Sequence, residues 1–229
     1  MAVKKSRYVI AAVITASIFL LGLMLGLVIE GKRASYSQEM SRRQLLEYNS
    51  LQLQYEYIDD LSQEKDCPAL EKAFDSSVEN LETARIRLEN YDKRASINKD
   101  EFDFVKRDYI LAQLQYWLFA KRLKKMCNTN TTTVLYFFST DEKCPKCGDQ
   151  AFILTYLKKV FHERLLNFAI DSDYENEPMI KILKETYGIT VYPTLVIENR
   201  KFEGFVPKED ILKELCNQNG ESEECRNLG

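Results

Sequence analysis

The sequence predicts an α/β C-terminal domain, preceded by an all-α antiparallel helical region and an N-terminal membrane helix. Three observations carry this reading. Tyr8 to Ile29 contains no charged residue. Tyr36 to Cys127 is dominated by apolar positions spaced by three and four. Beyond that, short apolar runs of strand length alternate with helix-patterned segments, the order expected of a sheet with helices on both faces.

The charge-free stretch is about 33 Å long as a helix, enough to cross a bilayer core of about 30 Å. It exceeds the apolar region of a cleavable signal peptide, and no Ala-x-Ala pattern follows Ile29, which favours an uncleaved signal anchor. Lys4, Lys5 and Arg7 before it are matched by Lys32, Arg33, Arg42 and Arg43 after it, so basic residues alone do not set the orientation.

The helical region contains three runs. Tyr48, Leu51, Tyr55 and Ile58 mark the first, and Leu70, Phe74, Leu81, Ala84, Leu88 and Tyr91 the second. Phe102, Val105, Tyr109, Ala112, Tyr116, Phe119, Leu123 and Met126 form the third, the clearest seam for packing on other helices. Pro68 suits a helix start, and Ala95 to Lys99 reads as a break with Asn98 as the cap. Three antiparallel helices follow. An up-down-up path from the membrane then places Cys67 and Cys127 at the same distal end, and a disulfide between them is expected. A helix of about 28 residues spans roughly 42 Å, so the bundle is expected to hold the C-terminal domain well off the bilayer. The seams leave homodimerisation open, since an apolar stripe serves either packing.

Further along come a strand-like run from Val134 to Phe138, a helix from Asp149 to Phe161 and a second apolar run from Leu165 to Ile170. An acidic stretch from Asp171 to Glu177 reads as a solvated loop. A helix from Met179 to Tyr187, the run Thr194 to Ile197 and a final helix from Lys208 to Leu215 complete the pattern. The expected divisions are 1–35 for the cytoplasmic N-terminus and anchor, 36–128 for the helical bundle, and 129–229 for the α/β domain with its tail.

Between the first strand and the following helix lies Cys144-Pro145-Lys146-Cys147. A C-x-x-C pair alone fits a structural disulfide or half a zinc site, whereas placement between strand and helix reads as a redox dithiol. A cysteine at a helix N-terminus faces unpaired N–H groups and the positive end of the helix dipole, which favour thiolate. Cys144 is therefore the expected nucleophile, with Pro145 in the first helical position and Lys146 adding a cation beside the sulfur. Cys147, one turn on, is the expected resolving thiol.

With Tyr187-Gly188-Ile189 leading to Pro193-Thr194-Leu195, and Gly204 before the final helix, the stretch Thr132 to Cys216 resembles the thioredoxin family. The resemblance implies a thioredoxin-like fold in the C-terminal domain only. It implies that Pro193 is cis and packs beside Cys144, and that the Tyr192 backbone offers strand-like hydrogen bonds to a bound polypeptide. A cis X-Pro bond lies only about 0.5–1 kcal/mol above trans, so proline is the residue that makes this shape accessible. Two departures matter. Lys143 stands in place of the usual tryptophan, and Phe138 stands where cytosolic thioredoxins carry a buried aspartate. Lys143 and Lys146 then bracket Cys144 and favour an oxidising couple over a reducing one.

Composition sets limits. With 32 basic against 35 acidic residues there is no excess of positive charge for nucleic acid. The sole histidine, His162, reads as a surface residue, and no metal or small-molecule cofactor is expected. Asn130-Thr131-Thr132 is a glycosylation sequon. Cys216 and Cys225 bracket the tail and are expected to form a local clip. Four spare cysteines in sensible pairs point to an oxidising compartment outside the cytoplasm.

The expected function is a membrane-anchored, extracytoplasmic thiol–disulfide oxidoreductase acting on protein thiols and disulfides, recycled by a membrane redox partner. A redox-inert adaptor on a helical stalk is the main alternative, with Cys144–Cys147 as a permanent disulfide. Zinc held by Cys144, Cys147, Cys216 and Cys225 is a third.

Overall fold

The computed structural model describes residues 9–27, 59, 66–93, 99–219 and 225. They belong to two units, Met1–Asp59 and Asp60–Gly229. In the first, helix α1 covers Val9–Leu27, 19 residues or about 28 Å, long and apolar enough to be a membrane anchor or a signal sequence. The expected helix through Tyr48 and Ile58, and the Asn98 cap, lie outside the described residues.

The second unit begins with a helical hairpin. Helix α2, Cys67–Lys93, starts where the Asp66 side chain accepts the Ala69 N–H at 3.2 Å, with Pro68 in its first turn. Helix α3, Lys99–Cys127, runs back along it. The opposite directions follow from the contacts, with Tyr91 beside Phe102 at one end and Phe74 beside Tyr116 and Phe119 towards the other. Cys67 is bonded to Cys127, their Cα atoms 5.7 Å apart.

Helix α3 carries a second apolar face that the seam pattern did not reveal. Ile110, Leu114 and Trp117, with Ala120 beside them, join Leu135, Phe137, Phe168 and Ile170 of the sheet in one core. Tyr116 also reaches Phe168, its ring 5.4 Å away. A helix apolar over most of its circumference must be covered on more than one side, and here the hairpin partner covers one side and the sheet another.

The sheet contains β1, Thr132–Phe138; β2, Leu165–Asp171; β3, Thr194–Ile197; and β4, Arg200–Glu203. Their spatial order is β2-β1-β3-β4, with β1 and β2 parallel and the other neighbours antiparallel. Between them run α4, Cys147–Phe161, and α5, Pro178–Tyr187, and the last described helix is α6, Lys208–Asn219. Leu135 and Phe137 of β1 face the core shared with α3 and α5, whereas Val134 and Tyr136 face the core shared with α4 and α6. This explains why β1 is almost uninterruptedly apolar: a strand covered on both sides has no solvent face to mark with polar residues.

Ion pairs bind α3 to the sheet's upper loops. Lys106 meets Asp171 at 2.7 Å and Arg107 meets Glu177 at 3.1 Å. Glu177 is buried and also caps α5, accepting the Met179 N–H at 3.1 Å. At its other end α5 closes on Gly188, whose φ of 60° lets the chain turn left-handed where a side chain would be strained. The acidic stretch is therefore a set of tethers rather than a solvated loop. Glu177→Gln is expected to lower stability by about 1 kcal/mol, read by urea unfolding of the full chain, because the capping charge and its Arg107 partner are lost together.

Candidate functional site: a buried disulfide between strand and helix

Cys144 and Cys147 are bonded, with Cα atoms 5.4 Å apart. The segment after β1 folds into successive turns: Cys144 N–H donates to Thr140 O at 2.8 Å, and Cys147 N–H to Cys144 O at 3.1 Å. Helix α4 starts only at Cys147, which corrects the expectation of Cys144 and Pro145 within its first turn. Pro145 instead lies with Lys146 in the turn before the helix. The physical reason is the turn closure itself, which uses the Cys144 carbonyl and delays the helical ladder until Gln150 N–H reaches Lys146 O at 3.1 Å.

The tip and the sulfur-bearing residues differ in access. Pro145 and Lys146 are exposed, whereas Cys144 and Cys147 retain only 1% and 5% of their surface. Both cysteines sit in the apolar core formed with α4 and α6, and Tyr192 packs against that core. The Tyr192–Pro193 peptide is cis, Pro193 is buried and Tyr192 half-buried. Thr194 Oγ1 bonds back to Val191 O at 2.6 Å within this loop. Val191 and, on the β4–α6 connection, Phe205 expose large apolar side chains.

The two lysines that bracket Cys144 in the sequence each have a carboxylate partner. Lys143 Nζ donates to Asp173 Oδ1 at 2.6 Å, and Lys146 Nζ to Asp149 Oδ2 at 2.9 Å. Each ammonium thereby gains a short charged hydrogen bond, stronger than one between neutral groups. Asp173 does more than hold Lys143. Its Oδ2 also accepts from Ser139 Oγ at 2.5 Å and from Thr140 N–H at 3.2 Å, so one carboxylate clamps the segment leading to Cys144.

Those bonds, that from Lys143 foremost, hold the Asp173 carboxyl down to about 2. A folded-state value below the ordinary carboxylate range near 4 makes its stabilisation complete above pH 4 and lost as pH falls towards 2. Asp173→Asn at neutral pH is expected to weaken the same clamp and to lower hydrogen-exchange protection of the Thr140 amide by about tenfold to a hundredfold, since hydrogen bonds to charged groups contribute about 1.5–3 kcal/mol.

Two further residues shape the site from within. Gln150 is buried on the inward stripe of α4 with Cys147, Leu154, Leu157 and Phe161. Its Oε1 accepts the Val206 N–H at 2.8 Å and its Nε2 donates to Val206 O at 3.3 Å, fixing the Phe205-bearing loop against the start of α4. Tyr136, buried in β1, donates its hydroxyl to the Cys147 carbonyl at 2.6 Å, and burial pushes its phenol up to about 12. Both were open to sequence reasoning. Gln150 interrupts an apolar helical stripe, and strand alternation places Tyr136 on the same side as Val134. Asp173 carried no local signal, because its partners lie about thirty residues upstream.

Elsewhere, Cys216 and Cys225 are bonded and pack against the core shared with α4 and α6. The four cysteines of the zinc reading are thus consumed in two disulfides. Among the described residues no group of three or more His, Cys, Asp or Glu side chains is arranged to hold a metal ion. His162 is exposed at the C-terminal end of α4.

Residues 105–209 match the family described as Hydrogenase-1 expression protein HyaE. No curated protein matches the chain. Among solved structures, thioredoxin-2, a component of malaria parasite protein secretion machinery, is 24% identical, with 38% of this chain and 82% of that one covered at a TM-score of 0.33. The exposed lipoprotein thioredoxin Etrx1 of Streptococcus pneumoniae strain TIGR4 is 18% identical, with coverage of 38% and 85% and a TM-score of 0.32. The germline-specific thioredoxin Deadhead of Drosophila melanogaster is 20% identical, with coverage of 45% and 92% and a TM-score of 0.32. From α3 to α6 the chain has a thioredoxin-like fold, as its strand order, the family match and the position of the C-x-x-C segment between β1 and α4 agree.

Proposed function

We propose that the protein is a membrane-anchored, extracytoplasmic thiol–disulfide oxidoreductase that exchanges Cys144–Cys147 with the thiols and disulfides of protein substrates. The observation that carries this reading is the placement of a closed C-x-x-C disulfide in one apolar core with Tyr192, between the first strand and the helix that follows it. Cys144 is the sulfur attacked by, or attacking, the substrate, and Cys147 opens or resolves the mixed disulfide. The backbone around Tyr192 and Pro193 receives the polypeptide, and the exposed Val191 and Phe205 offer it apolar contact. Helix α1 is the anchor. The disulfides Cys67–Cys127 and Cys216–Cys225 support an oxidising compartment for the C-terminal region, and a membrane redox partner renews the dithiol.

Lys143 and Lys146 are each paired with a carboxylate, which offsets part of the charge that would favour an oxidising couple. Incubation of the full chain with reduced ribonuclease and, separately, with insulin tests the reading. Turnover in either assay supports it, and none in both rejects it.

One observation favours a second reading. Cys144 retains 1% of its surface, so the disulfide as it stands gives a substrate no open line along the S–S axis. In the adaptor reading the bond stays closed, and the Val191–Pro193 and Phe205 loops bind a protein without chemistry. The same assays separate the two, because an adaptor gives no turnover while still binding a partner.

A further inference from the structure

A dithiol that opens must keep its second sulfur in place after the bond that held it has gone. Cys147 is buried and begins α4. The polar side chain that reaches the Cys147 backbone from within the core is Tyr136, 5% exposed, with its hydroxyl 2.6 Å from the Cys147 carbonyl. Its ring is fixed by the same core and by Phe138, 5.6 Å away between centroids. Nothing in the exchange chemistry itself uses this hydroxyl.

We infer that Tyr136 is a positioning residue for Cys147: its hydroxyl holds the Cys147 carbonyl so that the Cys147 sulfur still faces Cys144 once their bond has opened. This rests on Cys144–Cys147 being opened in function. In the oxidising direction a substrate thiolate attacks Cys144 Sγ and Cys147 leaves as thiolate. A second substrate thiolate then attacks the mixed disulfide and releases Cys144. Two substrate thiols lose two electrons and two protons, and the protein's disulfide gains them. In reverse, Cys147 attacks the mixed disulfide on Cys144, and the rate of that closure depends on how well the two sulfurs are held together. While the disulfide is closed, the covalent bond does the holding. When it is open, the Tyr136 hydroxyl remains.

The test is Tyr136→Phe in the full chain, which keeps the ring and removes the hydrogen bond. Equilibration with dithiothreitol, whose two thiols become a ring disulfide as Cys144–Cys147 becomes two thiols, reads the tendency of the pair to close. A net hydrogen-bond contribution of about 1 kcal/mol corresponds to about a fivefold weaker closure, with a matching increase in the lifetime of the mixed disulfide. An unchanged equilibrium in a folded variant overturns the inference. A measurement on unaltered protein needs no variant: the Tyr136 hydroxyl proton is expected to stay protected from solvent exchange after reduction, and free exchange overturns the inference. A fivefold shift against dithiothreitol in a protein that leaves ribonuclease and insulin untouched supports the Tyr136 role and rejects the oxidoreductase reading, so the two failures are distinct.

Discussion

Cys144→Ser is expected to abolish oxidation of reduced ribonuclease and reduction of insulin, a loss of about a thousandfold or more, because a hydroxyl forms no mixed disulfide. Cys147→Ser is expected to fail differently. It retains the sulfur that meets the substrate and lacks the one that resolves, so the reaction stalls with the substrate bound to Cys144. Alkylation followed by mass spectrometry reads that adduct directly. The contrast between an inert variant and a trapped one assigns roles that burial alone does not, since both residues lie almost wholly within the core. An active Cys144→Ser would move the chemistry elsewhere. The alternatives would be Cys67–Cys127 and Cys216–Cys225, whose residues are half-buried and so more open to solvent than the C-x-x-C pair.

The Cys67–Cys127 bond is expected to be the largest single contributor to stability among those open to simple replacement. It joins positions 60 residues apart. For a loop of that length the chain-entropy model gives about 4 kcal/mol. Replacing both cysteines by alanine is therefore expected to lower the melting temperature of the full chain in detergent by about 10 °C, given a shift of about 2–4 °C per kcal/mol for domains of this size. A loss below about 1 kcal/mol would show that packing holds the hairpin closed without help. Leu70, Phe74 and Phe119 near that end would then be sufficient.

Much of this architecture is legible in the residues. β1 declares itself as an apolar run because it is covered on both sides, and β2 because Leu166, Phe168 and Ile170 face the core shared with α3. The C-x-x-C segment and the proline before β3 stand out because few other residue types serve at those positions. What escaped are features that depend on partners distant in sequence. Asp173 looks like one acid in a polar stretch until the fold brings Ser139, Thr140 and Lys143 to it. The carboxylate partners of Lys143 and Lys146, Asp173 and Asp149, likewise come into view only with the fold. The start of α4 is decided locally: proline suits both a first helical turn and the tight turn before it, and hydrogen bonds from Cys147 and Gln150 select the turn. In α3 the regular seam drew attention to one side, although Ile110, Leu114 and Trp117 mark another with the same periodicity.

The double role of α3 has a consequence for synthesis. As the chain leaves the ribosome, α2 and α3 emerge before the sheet and can zip together, yet the flank of α3 bearing Ile110, Leu114 and Trp117 meets Leu135 and Phe137 only with β1, and is not fully covered until Phe168 and Ile170 arrive some fifty residues later. During that interval the nascent hairpin shows water an oily side, and α3 reaches its final seating only when the strand beyond α4 has been made.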